Sequence, residues 1–122
     1  MRVLIVEDHP DNLQLLGMLF QTWGFDVTLA LDGEHAIALA TTWRPHVILL
    51  DLGLPGIQGE EVAMIVKAAP RPPHVIAYTG YERLEQNALD AGCDAFILKP
   101  GLETLAALME SIRNVRAMMG IE

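Results

Sequence analysis

The sequence predicts an α/β fold in which helices cover both faces of a five-stranded parallel sheet. Short apolar runs alternate with longer segments whose apolar residues recur at helical spacing, and there are five of each. The apolar runs are nearly continuous, as in strands that are buried on both faces. The chain has 122 residues, of which 52% are hydrophobic, so we predict a single domain over residues 1–122.

The strands are assigned from runs rich in Val, Ile and Leu that end at polar or turn-forming residues. The run His-Val-Ile-Leu-Leu, which ends at Asp51, is the most strand-like segment of the chain. In chain order, the predicted strands cover residues 3–6, 25–30, 46–50, 74–78 and 95–98.

The helices are assigned from apolar periodicity together with start and stop signals. Pro10 begins the first helix and Gly24 ends it, whereas the pair Asp32-Gly33 begins the second helix and Pro45 stops it. Gly and Pro residues form the loop before the third helix, which three prolines then end. In chain order, the predicted helices cover 10–23, 33–44, a segment around 62–66, 82–91 and 102–118.

Polar side chains follow four of the predicted strands. Glu7 and Asp8 follow the first strand, Asp51 the third, Thr79 the fourth and Lys99 the fifth. In a doubly wound sheet, functional groups gather beyond the carboxyl ends of the strands. We therefore expect these five side chains to meet at one edge of the sheet.

Three carboxylates in one pocket repel each other, at a cost of about 4 kcal/mol per pair for a separation near 4 Å and an effective dielectric near 20. Either one of them binds a proton or a cation lies among them. An all-oxygen set suits Mg²⁺, with Asp8 and Asp51 as direct ligands, Glu7 holding a bound water, and a backbone carbonyl after Asp51 completing the set. Lys99 and Thr79 beside this site indicate phosphoryl chemistry, with Asp51 as the nucleophile.

Over its whole length the chain resembles the response-regulator receiver domains of bacterial two-component systems, which have a flavodoxin-like (βα)5 fold. The motifs are "VEDHPDN", "VILLDLGLPGIQG", "AYTG" and "DAFILKP". The resemblance implies Asp51 as the phosphoacceptor and the Gly53 carbonyl as a metal ligand. It also implies Thr79 and Phe96 as switch residues, Lys99 as a phosphate contact, and a cis peptide bond before Pro100.

This chain departs from the common receiver pattern at a few positions. Gly80 replaces an alanine, Gly101 replaces an aromatic residue, Phe96 replaces a tyrosine, and Gln58 is a minor variation. The phrases "GLPG" and "TGY" resemble receivers attached to hybrid histidine kinases. The implied partner is a sensor histidine kinase or a histidine phosphotransfer protein. The implied output surface, which a second copy could also bind, is formed by the fourth helix, fifth strand and fifth helix.

Composition narrows the function further. The chain has sixteen Asp and Glu residues and eight Lys and Arg residues, which give a net charge of −8. Such a surface repels the phosphate backbone, so we expect no direct contact with nucleic acid. No apolar run approaches the roughly 20 residues that cross a bilayer. The start of the chain does not resemble a signal peptide, and Cys93 is the sole cysteine. These features favour the cytoplasm.

Three alternative functions fit the sequence less well. A phosphatase of the haloacid-dehalogenase type would need a second Asp two residues after Asp51, where this chain has Gly53. A flavin or dinucleotide module would need a phosphate-cradling loop after the first strand, where Glu7 and Asp8 would repel phosphate. A receiver that acts only as a constitutive interaction module is disfavoured because all the acceptor-site residues are present.

Overall fold

Strands and helices alternate along the chain in the computed structural model, which describes residues 1–121. In chain order they are β1 (Arg2–Val6), α1 (Pro10–Thr22), β2 (Asp26–Ala30), α2 (Gly33–Thr42), β3 (Val47–Leu50), α3 (Gly59–Lys67), β4 (His74–Thr79), α4 (Glu85–Asp90), β5 (Ala95–Leu98) and α5 (Leu102–Met118). The predicted α/β class and the doubly wound parallel sheet are confirmed. None of the helices in the described chain is long and apolar enough to cross a membrane.

All five strands are parallel and lie in the order β2-β1-β3-β4-β5. Val6 pairs with Leu50, so the first residues after β1 and β3 emerge side by side. Thr79 pairs with Leu98, which places the ends of β4 and β5 next to each other in the same way. The strand register therefore brings Glu7, Asp51 and Lys99 to one edge of the sheet.

Alternate residues of the central strands enter two separate cores, one on each face of the sheet. In β1, Leu4 and Val6 pack in the core beneath α2, α3 and α4, whereas Val3 and Ile5 pack in the core beneath α1 and α5. All four side chains are at most 1% exposed. Burial on both faces explains why the strands read as continuous apolar runs rather than as alternating ones.

Element ends differ from the prediction by at most two residues, except at the starts of the third and fourth helices, which differ by three. Residues Glu82–Leu84 form a 3₁₀ turn, and α4 begins only at Glu85. The backbone N–H of Leu84 donates to the carbonyl of Tyr81, three residues earlier, which is the tighter 3₁₀ pattern. Helical periodicity in the sequence does not distinguish this short turn from an α-helix.

The departure at Gly101 has a conformational reason. Gly101 precedes the first residue of α5 with φ +37°, in the left-handed region that other residues rarely adopt. A Cβ atom there would lie 2.6 Å from the backbone oxygen of Leu98. The aromatic residue found at this position in many receivers could not fit this backbone.

Candidate functional site

Backbone hydrogen bonds between neighbouring strands fix the residues at the carboxyl edge of the sheet. The N–H of Glu7 donates to Ala30, and the N–H of Asp51 donates to Val6. The N–H of Lys99 likewise donates to the carbonyl of Thr79. Each functional residue therefore continues a strand pairing by one step, which holds its Cα in place while its side chain reaches over the sheet edge.

The ammonium group of Lys99 joins two carboxylates that come from different strands. Its Nζ lies 2.7 Å from Glu7 Oε2 and 3.3 Å from Asp51 Oδ2. Glu7 is only 1% exposed, so its charge needs a partner inside the protein. Burial alone would lower the pKa of Lys99, but the hydrogen bond to Glu7 and the charge of Asp51 outweigh it and hold the pKa above its usual value.

His9, which directly follows the acidic pair after β1, contacts both of its carboxylates. His9 Nδ1 lies 3.2 Å from Glu7 Oε1 and 3.0 Å from Asp8 Oδ1. The hydrogen bond to Glu7 and the charge of Asp8 raise the pKa of His9. Ligand atoms of these three residues lie within 4.8 Å of one another, which is close enough to surround one cation.

Asp51 follows β3 at the carboxyl edge of the sheet and is 9% exposed. Its Oδ1 accepts a hydrogen bond from the N–H of Gly53, at 3.1 Å. The loop then packs closely against the start of α3, because a Cβ on Gly59 would lie 2.7 Å from the backbone oxygen of Asp51. Two contacts thus hold the loop that follows Asp51: the hydrogen bond from Gly53 near its start and the close packing of Gly59 at its end. The role of the Gly53 carbonyl as a metal ligand stays a prediction.

Thr79 lies at the same sheet edge, but its hydroxyl is engaged elsewhere. Thr79 is 1% exposed, and its Oγ1 accepts a hydrogen bond from the N–H of Tyr81, at 3.3 Å. Phe96 is half-buried and packs against the core beneath α2, α3 and α4, together with Leu84. Their roles as switch residues stay predictions from the resemblance.

Tyr78 is a site residue that the sequence reasoning missed. Its hydroxyl donates a hydrogen bond to the backbone oxygen of Pro100, at 2.5 Å, and Lys99 Nζ lies 5.5 Å from the ring centroid. The Lys99–Pro100 peptide bond is cis, as the motif implied. A tyrosine within an otherwise aliphatic buried strand was the available signal, because a buried phenol needs a hydrogen-bond partner.

Comparison with known proteins assigns the family. Residues 3–113 match the family model of the response regulator receiver domain. The transcriptional regulatory protein PrrA of Mycobacterium leprae is 31% identical over 120 residues, which cover 97% of this chain and 49% of PrrA. The chain thus spans about half the length of the curated relatives it matches.

Two solved structures are similar in fold as well as in sequence. One is the receiver domain of the sensor histidine kinase PA1611 from Pseudomonas aeruginosa, solved with a magnesium ion in its active-site cleft (TM-score 0.76, 28% identity, 86% of this chain and 93% of that one). The other is the co-crystal structure of the Saccharomyces cerevisiae phosphotransfer protein Ypd1 with the receiver domain of Ssk1 (TM-score 0.79, 27% identity, 87% of this chain and 83% of that one). The family-model match and the shared fold show that this chain belongs to the response regulator receiver domain family, whose members are the phosphoacceptor domains of two-component signalling.

Proposed function

We propose that Asp51 accepts a phosphoryl group from the phosphohistidine of a sensor histidine kinase or of a histidine phosphotransfer protein. The observation that carries the proposal is the contact of Lys99 with both Glu7 and Asp51, which brings a cation and two carboxylates from three strands together. A carboxylate oxygen of Asp51 bonds to phosphorus, the phosphorus–nitrogen bond of the donor breaks, and the imidazole leaves with that electron pair. The co-crystal of Ypd1 with a receiver domain supports this choice of partner.

The residues of this chain position and neutralise the transferred group. The N–H of Gly53 orients the Asp51 carboxylate, and Lys99 is placed to neutralise one phosphoryl oxygen. The Thr79 hydroxyl, once released from the N–H of Tyr81, can donate a hydrogen bond to another. The aspartyl phosphate is lost when water attacks phosphorus and Asp51 is the leaving group. The domain would then catalyse only its own phosphorylation and dephosphorylation.

The acidic pocket fits Mg²⁺ by the chemistry of its donors. Glu7, Asp8 and Asp51 offer carboxylate oxygens, the ligand type that this ion prefers. We propose Asp8, Asp51 and the Gly53 carbonyl as direct ligands and Glu7 as a ligand through water. When bound, the ion would balance negative charge on the phosphoryl oxygens. The magnesium-containing receiver of PA1611 supports this assignment.

Phosphorylation would move Thr79 inward and let Phe96 turn, which would change the face formed by α4, β5 and α5. A downstream partner, or a second copy in a homodimer, would bind there.

We also propose that this domain makes no direct contact with nucleic acid. The net charge of −8 supports this expectation. We further propose that residues 1–122 form a single receiver domain and that the protein lies in the cytoplasm.

Phosphorylation by acetyl phosphate with Mg²⁺, followed by intact-protein mass spectrometry, tests the acceptor. We expect one added phosphoryl group in the parent protein and none in Asp51→Asn. Asp26→Asn is the matched control, because Asp26 is exposed at the start of β2 and should leave labelling unchanged. Undiminished labelling of Asp51→Asn would refute the proposal.

A further inference from the structure

A large cleft lies at the opposite edge of the sheet from Asp51. It has a volume of about 890 Å³ and is open to solvent where the C-terminal ends of α2, α3 and α5 approach each other. Arg2, Arg44, Arg71, Arg116 and His46 line it. The volume lies within the range of roughly 300–1,000 Å³ that is typical of small-molecule sites.

The charges of the protein are distributed unevenly around this cleft. Four of the eight lysines and arginines line it, whereas none of the acidic residues in the described part of the chain does. In a protein with sixteen acidic residues and a net charge of −8, this is a local reversal of sign. Like charges that lie close together raise the energy of the folded state, and a bound anion would lower it.

Part of this positive charge has a structural role. Arg2 donates hydrogen bonds through Nε to the backbone oxygens of Trp43 and Arg44, each at 3.1 Å, and through a terminal nitrogen to Arg44, at 2.6 Å. These bonds satisfy carbonyl groups just after α2 and hold Arg44 at φ +54°. Among the described residues, however, Arg2, Arg44 and Arg71 have no carboxylate oxygen within 4.0 Å. The described residues therefore supply no carboxylate that balances the positive charge of these three side chains.

His46 adds a hydrogen-bond donor to the cleft. Its Nδ1 accepts a hydrogen bond from the backbone N–H of Arg2, at 2.8 Å, so the proton of the neutral ring lies on Nε2. Burial, reinforced by the charges of Arg116 and Arg2, lowers the pKa of His46 to about 4, so the ring is neutral near pH 7. Together with the guanidinium groups of Arg44 and Arg71, the His46 ring thus offers hydrogen-bond donors to a ligand.

We propose that this cleft binds a phosphorylated small molecule with an apolar or planar part, the chemistry of a nucleotide. Guanidinium groups suit phosphate because they donate two parallel hydrogen bonds. Beside them the cleft is lined by apolar side chains, including Ile37, Ile65 and Pro45, which suit a base. The cations share one cleft of small-ligand size, which favours a compact anion over an extended acidic polypeptide.

Titration of ¹⁵N-labelled protein with ADP, inorganic diphosphate and adenosine, without Mg²⁺, tests the site by NMR. We expect saturable shifts at the amides of Arg2 and His46 and at the His46 ring. ADP should bind more tightly than diphosphate, and adenosine should give no measurable binding, since the base alone lacks the charge.

Two matched variants separate the cleft from general charge. Arg71→Gln removes an exposed arginine from the cleft, whereas Arg83→Gln removes an exposed arginine of the turn before α4. We expect Arg71→Gln to weaken ADP binding about five- to tenfold, as the loss of a charge-assisted hydrogen bond predicts, and Arg83→Gln to leave it unchanged. Because Arg71 donates no hydrogen bond to another described residue, its variant should keep the parent amide spectrum elsewhere.

Several results would overturn the proposal. They are the absence of saturable shifts with ADP, shifts centred on Lys99 rather than on His46, and equal weakening in the two variants. An oligoglutamate peptide that binds in the cleft more tightly than ADP would also overturn it, because the occupant would then be an acidic polypeptide.

Discussion

The phenolic hydroxyl of Tyr78 donates a hydrogen bond to the backbone oxygen of Pro100, with 2.5 Å between the two oxygens. This contact joins the end of β4 to the turn that follows Lys99, and the Tyr78 ring lies beside the Lys99 ammonium. Tyr78 is 5% exposed. The residue that contacts both carboxylates is therefore held by a side chain from the neighbouring strand as well as by its own strand.

Tyr78→Phe should weaken this support while keeping the ring in the core. We expect the free energy of unfolding to fall by about 0.5–1.5 kcal/mol, the net value of one hydrogen bond. Phosphorylation by acetyl phosphate should also slow, because the turn after Lys99 is held less firmly. Urea denaturation and a phosphorylation time course measure the two effects. Tyr81→Phe, at an exposed residue, is the control and should stay within about 0.5 kcal/mol of the parent. If Tyr78→Phe matches the parent in both assays, the contact has no role.

Asp8→Ala should weaken Mg²⁺ binding, because it removes a proposed direct ligand. We expect a loss of affinity of about tenfold or more by titration calorimetry, as for the loss of one carboxylate from a site with few of them. Asp11→Ala removes an exposed carboxylate in the first turn of α1 and should change affinity much less. Equal affinities of Asp8→Ala and the parent would show that Asp8 is not a ligand.

Thr79→Ala should separate phosphorylation from its structural consequence. Asp51 and Lys99 remain, so labelling should persist, whereas the inward movement of the hydroxyl is lost. NMR shifts of α4, β5 and α5 with and without beryllofluoride provide the measurement. We expect these shifts to shrink in Thr79→Ala, and shifts equal to those of the parent would contradict the proposed route.

Phe96→Tyr should keep phosphorylation and change the affinity for a partner. Phenylalanine has no hydroxyl, so the two orientations proposed for Phe96 would differ only in packing and burial, by about 1–2 kcal/mol. The added hydroxyl can form a hydrogen bond in one orientation and shift the balance. Identical beryllofluoride-induced shifts and partner affinity in Phe96→Tyr and the parent would show that this ring does not bias the two states.

Two glycines near the site should respond in opposite ways to alanine. A Cβ on Gly59 would lie 2.6 Å from Leu52 Cα and 2.7 Å from the Asp51 oxygen, so Gly59→Ala must displace the acceptor loop or α3. We expect a loss of about 1–3 kcal/mol in stability and slower phosphorylation. A Cβ on Gly80 has no neighbour within 4 Å, so Gly80→Ala should be neutral or stabilise by about 0.4–1 kcal/mol. Thermal unfolding of both variants checks the pair.

His46 should make the stability of the protein depend on pH between about 4 and 6.5. The folded protein holds the pKa at about 4, whereas the unfolded chain has an ordinary value of 6.5, so the unfolded state binds more protons in this range. Stability from this group is complete above 6.5 and is lost as pH falls towards 4. The full pKa difference corresponds to about 3 kcal/mol, and screening by solvent at this half-buried ring reduces the expected loss to about 1–2 kcal/mol.

Asparagine at position 46 tests this, because its side-chain oxygen can accept the hydrogen bond from Arg2 but does not titrate. We expect urea denaturation of His46→Asn to show a flatter stability profile from pH 6.5 to 4. The charged groups that face His46 and help to lower its pKa are Arg116, Arg2 and the N-terminal amine. His35→Asn, at an exposed position on α2, should follow the parent. A parent-like slope in His46→Asn would assign the acid loss to other groups.

The local pattern of the sequence was enough to predict the fold class and most of the candidate site. Runs such as Val47–Leu50 are apolar throughout because both faces of the sheet are covered, and this leaves a direct mark on the sequence. The site residues follow the strands at their carboxyl ends, so their grouping could be expected before any distance was known. Glu7 and Lys99 are 92 residues apart in the sequence, yet their proximity could be expected, because parallel topology brings the ends of the strands together.

Only the tertiary structure decided which of these side chains touch. The bridge from Lys99 to Glu7 and Asp51 and the hydrogen bond from Tyr78 to Pro100 both depend on strand order and on side-chain direction across strands. The same is true of the arginine-lined cleft, whose residues come from both ends of the chain, from α2 and α3, and from the two loops that follow those helices. Local periodicity reports whether a residue is buried, but contacts between distant segments depend on how the elements pack, which no short stretch of sequence encodes.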